Sequence, residues 1–123
     1  MSYKLSIERQ DDVLWATATG TRSLETVLSM SYEILASCER HKVTKVLTDV
    51  RGLDGRLKAI ESFELSENHF PKIRDRKLIT HNAIVDLKRF EQDFRFFENV
   101  ATNRGFNIAL FSDPDSALKW LKR

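Results

Sequence analysis

Cysteine is nearly missing from this chain: Cys38 is the only one in 123 residues. No internal disulfide can form, and no cysteine-based metal cluster can be built. Glycine and proline are also scarce, at four and two, and no linker, internal repeat or low-complexity segment stands out. No apolar run approaches the roughly 18 residues that crossing a bilayer requires. The opening Met1-Ser2-Tyr3-Lys4-Leu5 lacks the apolar core of a signal peptide. These absences set the expectation of a cytoplasmic protein without a transmembrane segment. Nor is there a strong charge of one sign: 20 basic against 18 acidic residues leave +2. Acids are interspersed almost everywhere, which argues against a nucleic-acid partner.

What is present is an ordinary globular balance, 41% hydrophobic and 31% charged. The length suits one packed core, so residues 1–123 are expected to form a single domain. Tyr3–Glu8 alternates apolar with polar and predicts a half-buried strand. Val13–Thr19 returns as a second, making a hairpin that ends at Gly20. Trp15 is assigned to the core. Ser23 is placed to cap a helix whose stripe runs through Leu24, Val27, Leu28, Ile34, Leu35 and Cys38. Cys38 reads there as a small buried hydrophobe.

The middle of the chain organises the rest. Val43–Val50 is β-branched and apolar, as a buried strand needs to be. Arg51-Gly52-Leu53-Asp54-Gly55 then reads as a loop with two turn-permitting glycines. A helix is expected over Arg56–His69, with Leu57, Ile60 and Phe63 on one face and Pro71 closing the segment. Lys72–Lys77 reads as a solvated basic connector, with contact to phosphate or anionic lipid as its functional alternative. Leu78–Asp86 predicts a fourth strand. Phe90–Gly105 predicts a strong helix on the stripe Leu87, Phe90, Phe94, Phe97 and Ala101, widened by Phe96 and Val100. Gly105 is the expected left-handed stop. Phe106–Phe111 is a final strand, and Asp113-Pro114 opens a last helix that buries Ala117, Leu118, Trp120 and Leu121. The order is β-β-α-β-α-β-α-β-α. It predicts an α/β protein with a mixed sheet of about five strands, an N-terminal β-hairpin and about four helices.

The runs Val46-Leu47-Thr48-Asp49-Val50-Arg51-Gly52, Phe96-Phe97-Glu98-Asn99-Val100-Ala101-Thr102-Asn103-Arg104-Gly105 and Ala117-Leu118-Lys119-Trp120-Leu121 sit in this arrangement. In it they resemble the SpoIIAA-like branch of the STAS fold and its uncharacterised bacterial STAS/SEC14-like members. The resemblance implies a bacterial regulatory domain whose loop after the central strand meets a protein partner. Anti-sigma-factor antagonists of this fold carry a phosphorylatable serine before a glycine in that loop. Asp54 stands before Gly55 here, so a phosphoserine switch is not expected; Asp54 either imitates the modified state or caps the following helix.

Catalytic patterns are sparse. His41, His69 and His81 form no paired metal-ligand spacing, so neither a metal nor a cofactor is expected. There is no nucleophile elbow and no phosphate-binding loop. One constellation remains for an enzyme: Asp49 and Asp86 at neighbouring strand ends, with His81. The expected function is instead non-enzymatic binding. The candidate surface comprises Arg51, Gly52, Asp54, Gly55, Arg56, Leu57, Ile60 and Phe63, where an acidic side chain or anionic group of a protein partner could dock. The alternative is a carrier or sensor of a small amphipathic, lipid-like ligand held between the sheet and the phenylalanine-bearing helices. The hairpin's edge strand is available for pairing across a homodimer axis.

Overall fold

The computed structural model describes residues 3–55, 57–103, 105 and 107–122, with backbone alone at 66, 74, 90, 93, 94, 96, 97 and 100. Strands β1 (Tyr3–Gln10) and β2 (Val13–Thr21) form the hairpin, turning at Asp11 with φ +56°. Next come β3 (Lys45–Asp54), β4 (His81–Val85) and β5 (Ile108–Phe111), each parallel to the strand before it. The sheet order is β1-β2-β3-β4-β5. Parallel neighbours need crossovers, supplied by α1 (Leu24–His41), the pair α2 (Ala59–Glu64) and α3 (Phe70–Asp75), and α4 (Glu91–Asn103). The last helix is α5 (Pro114–Leu121). The expected mixed sheet with an N-terminal hairpin is therefore the observed one.

Strand alternation divides the core in two. Val13, Leu47 and Val85 point to the α5 side, where they pack with Ala117, Leu121 and Trp120. Trp15 belongs to this packing. Leu14, Ala16 and Val46 point the other way, toward Ile34 and Cys38 of α1. Burial pushes the Cys38 thiol up to about 11, the signature of an inert packing residue.

The central strand runs further than its sequence suggests. Arg51 to Asp54 are not a loop but the end of β3, paired to an equally extended β2. Thr17 faces Asp49 while Thr19 faces Gly52, so β3 carries one extra residue. This bulge resets the alternation and turns Leu53 into the same cluster as Val50. Gly52 is needed because the strands close tightly here: a Cβ would lie 2.8 Å from Thr19 Cγ2 and 3.1 Å from the Ala18 carbonyl oxygen. The true turn is at Gly55, φ +78°.

The helical segment after it also departs from expectation. Its first helix starts at Ala59 rather than Arg56, and winding continues through Pro71 to Asp75. Between α2 and α3, residues Leu65–His69 make a π-turn, closed by the Phe70 N–H donating to the Leu65 carbonyl. The wider turn precedes Pro71, which has no N–H to give. In α winding, Leu65 and Phe70 would sit roughly 140° apart. The π-turn lets both join one cluster with Leu35 and Ile73. The expected connector Lys72–Lys77 is thus largely helix.

Elsewhere the elements end as their caps dictate. Ser23 Oγ accepts from the Thr26 N–H at 3.1 Å, and Thr26 Oγ1 accepts from the Ser23 N–H at 2.9 Å. Gly105 has φ +87° after α4, as its stop role requires. Asp113 Oδ1 accepts from the Ser116 N–H at 2.8 Å and Pro114 follows at the first helical position. Both β4 and β5 are shorter than expected. The short edge strand β5 is shielded by Glu98 of α4, whose Oε2 accepts from the Leu110 N–H at 2.8 Å. The phenylalanine stripe of α4 lies outside the described side chains.

Candidate functional site

The sheet face beneath α1 and the α2–α3 segment is not completely filled. A cavity of about 130 Å³ lies there, walled by Met30 of α1, Val50 and Ile84 of the sheet, and Leu57 and Leu65 of the helical segment. A second, of about 460 Å³, is bounded by Ile73, Lys77, Ile79, Thr80 and Asn107. Ser31, Ile34, Phe70, Asn82 and Ile108 line both, so they are two lobes of one crevice. The π-turn shapes it by bringing Leu65 and Phe70 inward together.

The polar groups of the two lobes differ in kind. At the end of the smaller lobe Arg22, just beyond β2, meets Asp86, just beyond β4. Nη1 lies 2.9 Å from Asp86 Oδ2 and Nη2 lies 3.3 Å from Oδ1. Nη2 also donates to the Val50 carbonyl at 3.3 Å, and Asp86 Oδ1 accepts from the Leu87 N–H at 2.8 Å. The side chains are only 9% and 1% exposed. Such a pair is neutral as a whole and closes the lobe. Further along, Thr48 Oγ1 donates to Asn82 Oδ1 at 3.1 Å. Among the described residues the Asn82 amide N–H groups have no acceptor.

Of the eight residues proposed from sequence, the seven described ones are brought to one region but not to one surface. Arg51 is on the α5 side of β3, its guanidinium donating to Asp49 at 3.0 and 2.7 Å. Burial pushes the Asp49 carboxyl up, but hydrogen bonds and charge from Arg51 outweigh this and leave it below the ordinary value. Gly52 sits in the bulge and Gly55 at the turn. Asp54 ends β3, its carbonyl accepting from the Arg22 N–H at 2.8 Å. It does not cap α2, whose N-terminus falls four residues later, where the Lys58 N–H donates to Glu61 Oε1 at 2.9 Å. Arg56 lies outside the described residues. Leu57 faces inward and lines the cavity. Ile60 and Phe63 face outward, 75% and 48% exposed. The later start of α2 is the physical reason: it aims Ser62 and Leu65 at the sheet and leaves those two outside.

The acid–base constellation is not assembled. Asp86 does follow the end of β4, but Asp49 lies inside the longer β3 beside Val85 rather than at its end, and each acid is held by its own arginine. His81 opens β4 opposite Lys45, whereas Asp49 pairs with Val85 four residues along. At about 3.3 Å per residue that puts His81 more than 10 Å away along the strand. Its ring instead packs edge-on against Trp120 at 5.4 Å between centroids. Among the described residues no three His, Cys, Asp or Glu side chains gather as a metal site would need. No described helix is long and apolar enough to cross a membrane.

Arg22, Thr48 and Asn82 were not singled out from sequence. Arg22 follows Gly20-Thr21, where a turn is the plain reading. Thr48 and Asn82 offered a signal, each being a polar residue within an apolar strand run.

No protein-family model matches the chain, and no curated protein matches its sequence. Solved structures do match it. An anti-sigma factor antagonist from Mycobacterium paratuberculosis superposes with a TM-score of 0.64 at 12% identity, covering 99% of this chain and 96% of that one. An uncharacterised protein with a SpoIIAA-like fold from Shewanella loihica gives 0.58 at 22% identity, covering 98% and 94%. The five strands in chain order, the leading hairpin and the closing helix on the far face are therefore those of a SpoIIAA-like, STAS-type fold.

Proposed function

We propose that this protein is a non-enzymatic binding module whose ligand is a small amphipathic molecule held between the sheet and the α1, α2–α3 layer. The two-lobed crevice is the observation that carries this reading. Close-packed interiors rarely leave space larger than a water, whereas ligand sites of small molecules are mostly apolar clefts of about 300–1,000 Å³. The larger lobe alone, at about 460 Å³, falls in that range. Native mass spectrometry of freshly purified protein tests it: a co-purified mass released on denaturation is the expected result. A clean apo mass, together with no uptake of added long-chain lipids, would remove the reading.

A second reading is a protein-interaction surface at the end of β3 and on α2, the region of Arg51, Gly52, Asp54, Gly55, Arg56, Ile60 and Phe63. One observation favours it. Ile60 and Phe63, three residues apart on a helix, turn outward while a serine turns in. An anti-sigma factor antagonist, by its description, works through another protein, and sharing its fold lends support. Recovery of a defined bacterial partner that is abolished by Arg51→Glu with Ile60→Asp is the expected result. Recovery unaffected by that double substitution would count against this surface.

A further inference from the structure

We propose that the two lobes divide the ligand. Its hydrocarbon end lies in the smaller lobe under Leu57 and Leu65, and a carboxylate head lies in the larger lobe at Lys77 and Asn82. This rests on reading the crevice as a ligand site and adds which end goes where and what charge the head carries.

Among the described residues two cations border the crevice, and they differ in whether they are already answered. Arg22 is met by both oxygens of Asp86 and by the Val50 carbonyl. An acid placed there would put a second negative charge against a pair that is already neutral, in a place screened from water. Lys77, on the turn after α3 with φ +56°, borders the larger lobe and pairs with no carboxylate among the described residues. Its neighbour Arg76 is turned to Glu39 at 3.4 Å. Lys77 is exposed, so a carboxylate beside it keeps part of its hydration and is not desolvated as it would be beside Arg22.

The uncharged groups point the same way. The Asn82 amide, at the junction of the lobes, has hydrogen-bond donors to spare because its oxygen is already taken by Thr48. Spare donors in the same lobe as an unanswered cation suit an oxygen acceptor that bears negative charge. The smaller lobe offers an apolar wall of Val27, Met30, Leu53, Leu57 and Leu65. Each methylene buried there contributes favourably without needing a polar partner.

The test uses dodecanoate, dodecanol and methyl dodecanoate as probes, titrated against the whole chain by displacement of an environment-sensitive dye. Dodecanoate should bind about fivefold or more tightly than the two neutral chains, a factor typical of one charge-assisted contact. Lys77→Gln, an exposed position, should remove that preference by weakening dodecanoate to the level of dodecanol. Nuclear Overhauser contacts from the terminal methyl should reach Met30 and Leu65. Equal binding of acid and alcohol, an acid preference that survives Lys77→Gln, or a terminal methyl found beside Lys77 would each overturn the assignment while leaving a ligand site in place. Binding of none of the three would overturn the site itself.

Discussion

Arg22 and Asp86 reach each other across the central strand at Val50. One follows β2, the other follows β4, and the guanidinium spans β3 between them, touching the Val50 carbonyl on the way. The carboxyl ends of β2 and β4 are thereby tied to each other and to the middle of β3. Removing one partner strands a buried charge. Arg22→Leu should therefore destabilise the fold by about 3–5 kcal/mol in urea denaturation. The double substitution Arg22→Leu with Asp86→Leu should recover most of that loss. A double variant as unstable as the single one would mean that the tie is worth more than the charges it neutralises.

Gly52 is held by proximity. Gly52→Ala forces a methyl against Thr19 Cγ2, and overpacking of this kind costs about 1–3 kcal/mol. Thr19→Ala should be nearly neutral alone and should return much of the loss in the Gly52→Ala background. Thermal melts of the four proteins give the coupling directly.

The facing of the segment after Gly55 can be checked by contrast. Leu65 is fully buried, so Leu65→Ala should cost about 2–5 kcal/mol. Ile60→Ser, at a site mostly in water, should change stability by less than about 0.5 kcal/mol. Comparable losses at both positions would contradict the observed phase of α2.

The Asp49–Arg51 pair sets a sign for the acid limb of stability. The folded carboxyl lies below its ordinary value. The stabilisation is therefore fully present above the unfolded value of about 3.9 and fades as pH falls through the lower folded value. Asp49→Asn should flatten the loss of stability below about pH 4 relative to the parent. An unchanged acid slope would show that Arg51 does not hold this carboxylate in solution.

The fold was readable because its elements rest on local patterns. Alternation in Tyr3–Glu8, the Ser23 cap, the Gly105 stop and Asp113-Pro114 each act within a few residues of themselves. The misplaced parts depend on partners distant in sequence. Gly52 reads as a turn residue until Thr19 is seen against it, so the end of β3 passed for a loop. Asp54 stood where a helix cap would, but α2 begins beyond it. Pro71 is a dependable stop for an α-helix, yet a π-turn just before it let winding go on. Leu57, Ile60 and Phe63 shared a face only for a helix begun at Arg56; a start at Ala59 separated Leu57 from the other two. A ligand space was expected beside the phenylalanine-bearing helices, whereas the crevice lies under α1 and the α2–α3 segment, and its polar groups were not legible because Arg22 and Asp86 are 64 positions apart in the chain.

The wide turn at Leu65–His69 also fixes how many residues this part of the chain must have. Deleting a single one there would restore regular winding and swing everything downstream by roughly 100° about the helix axis. Phe70 and Ile73 would leave the sheet, and polar neighbours would arrive in their place. A shortened homologue would thus have to change its sequence after the gap as well as its length, which makes this turn a place where indels and substitutions must travel together.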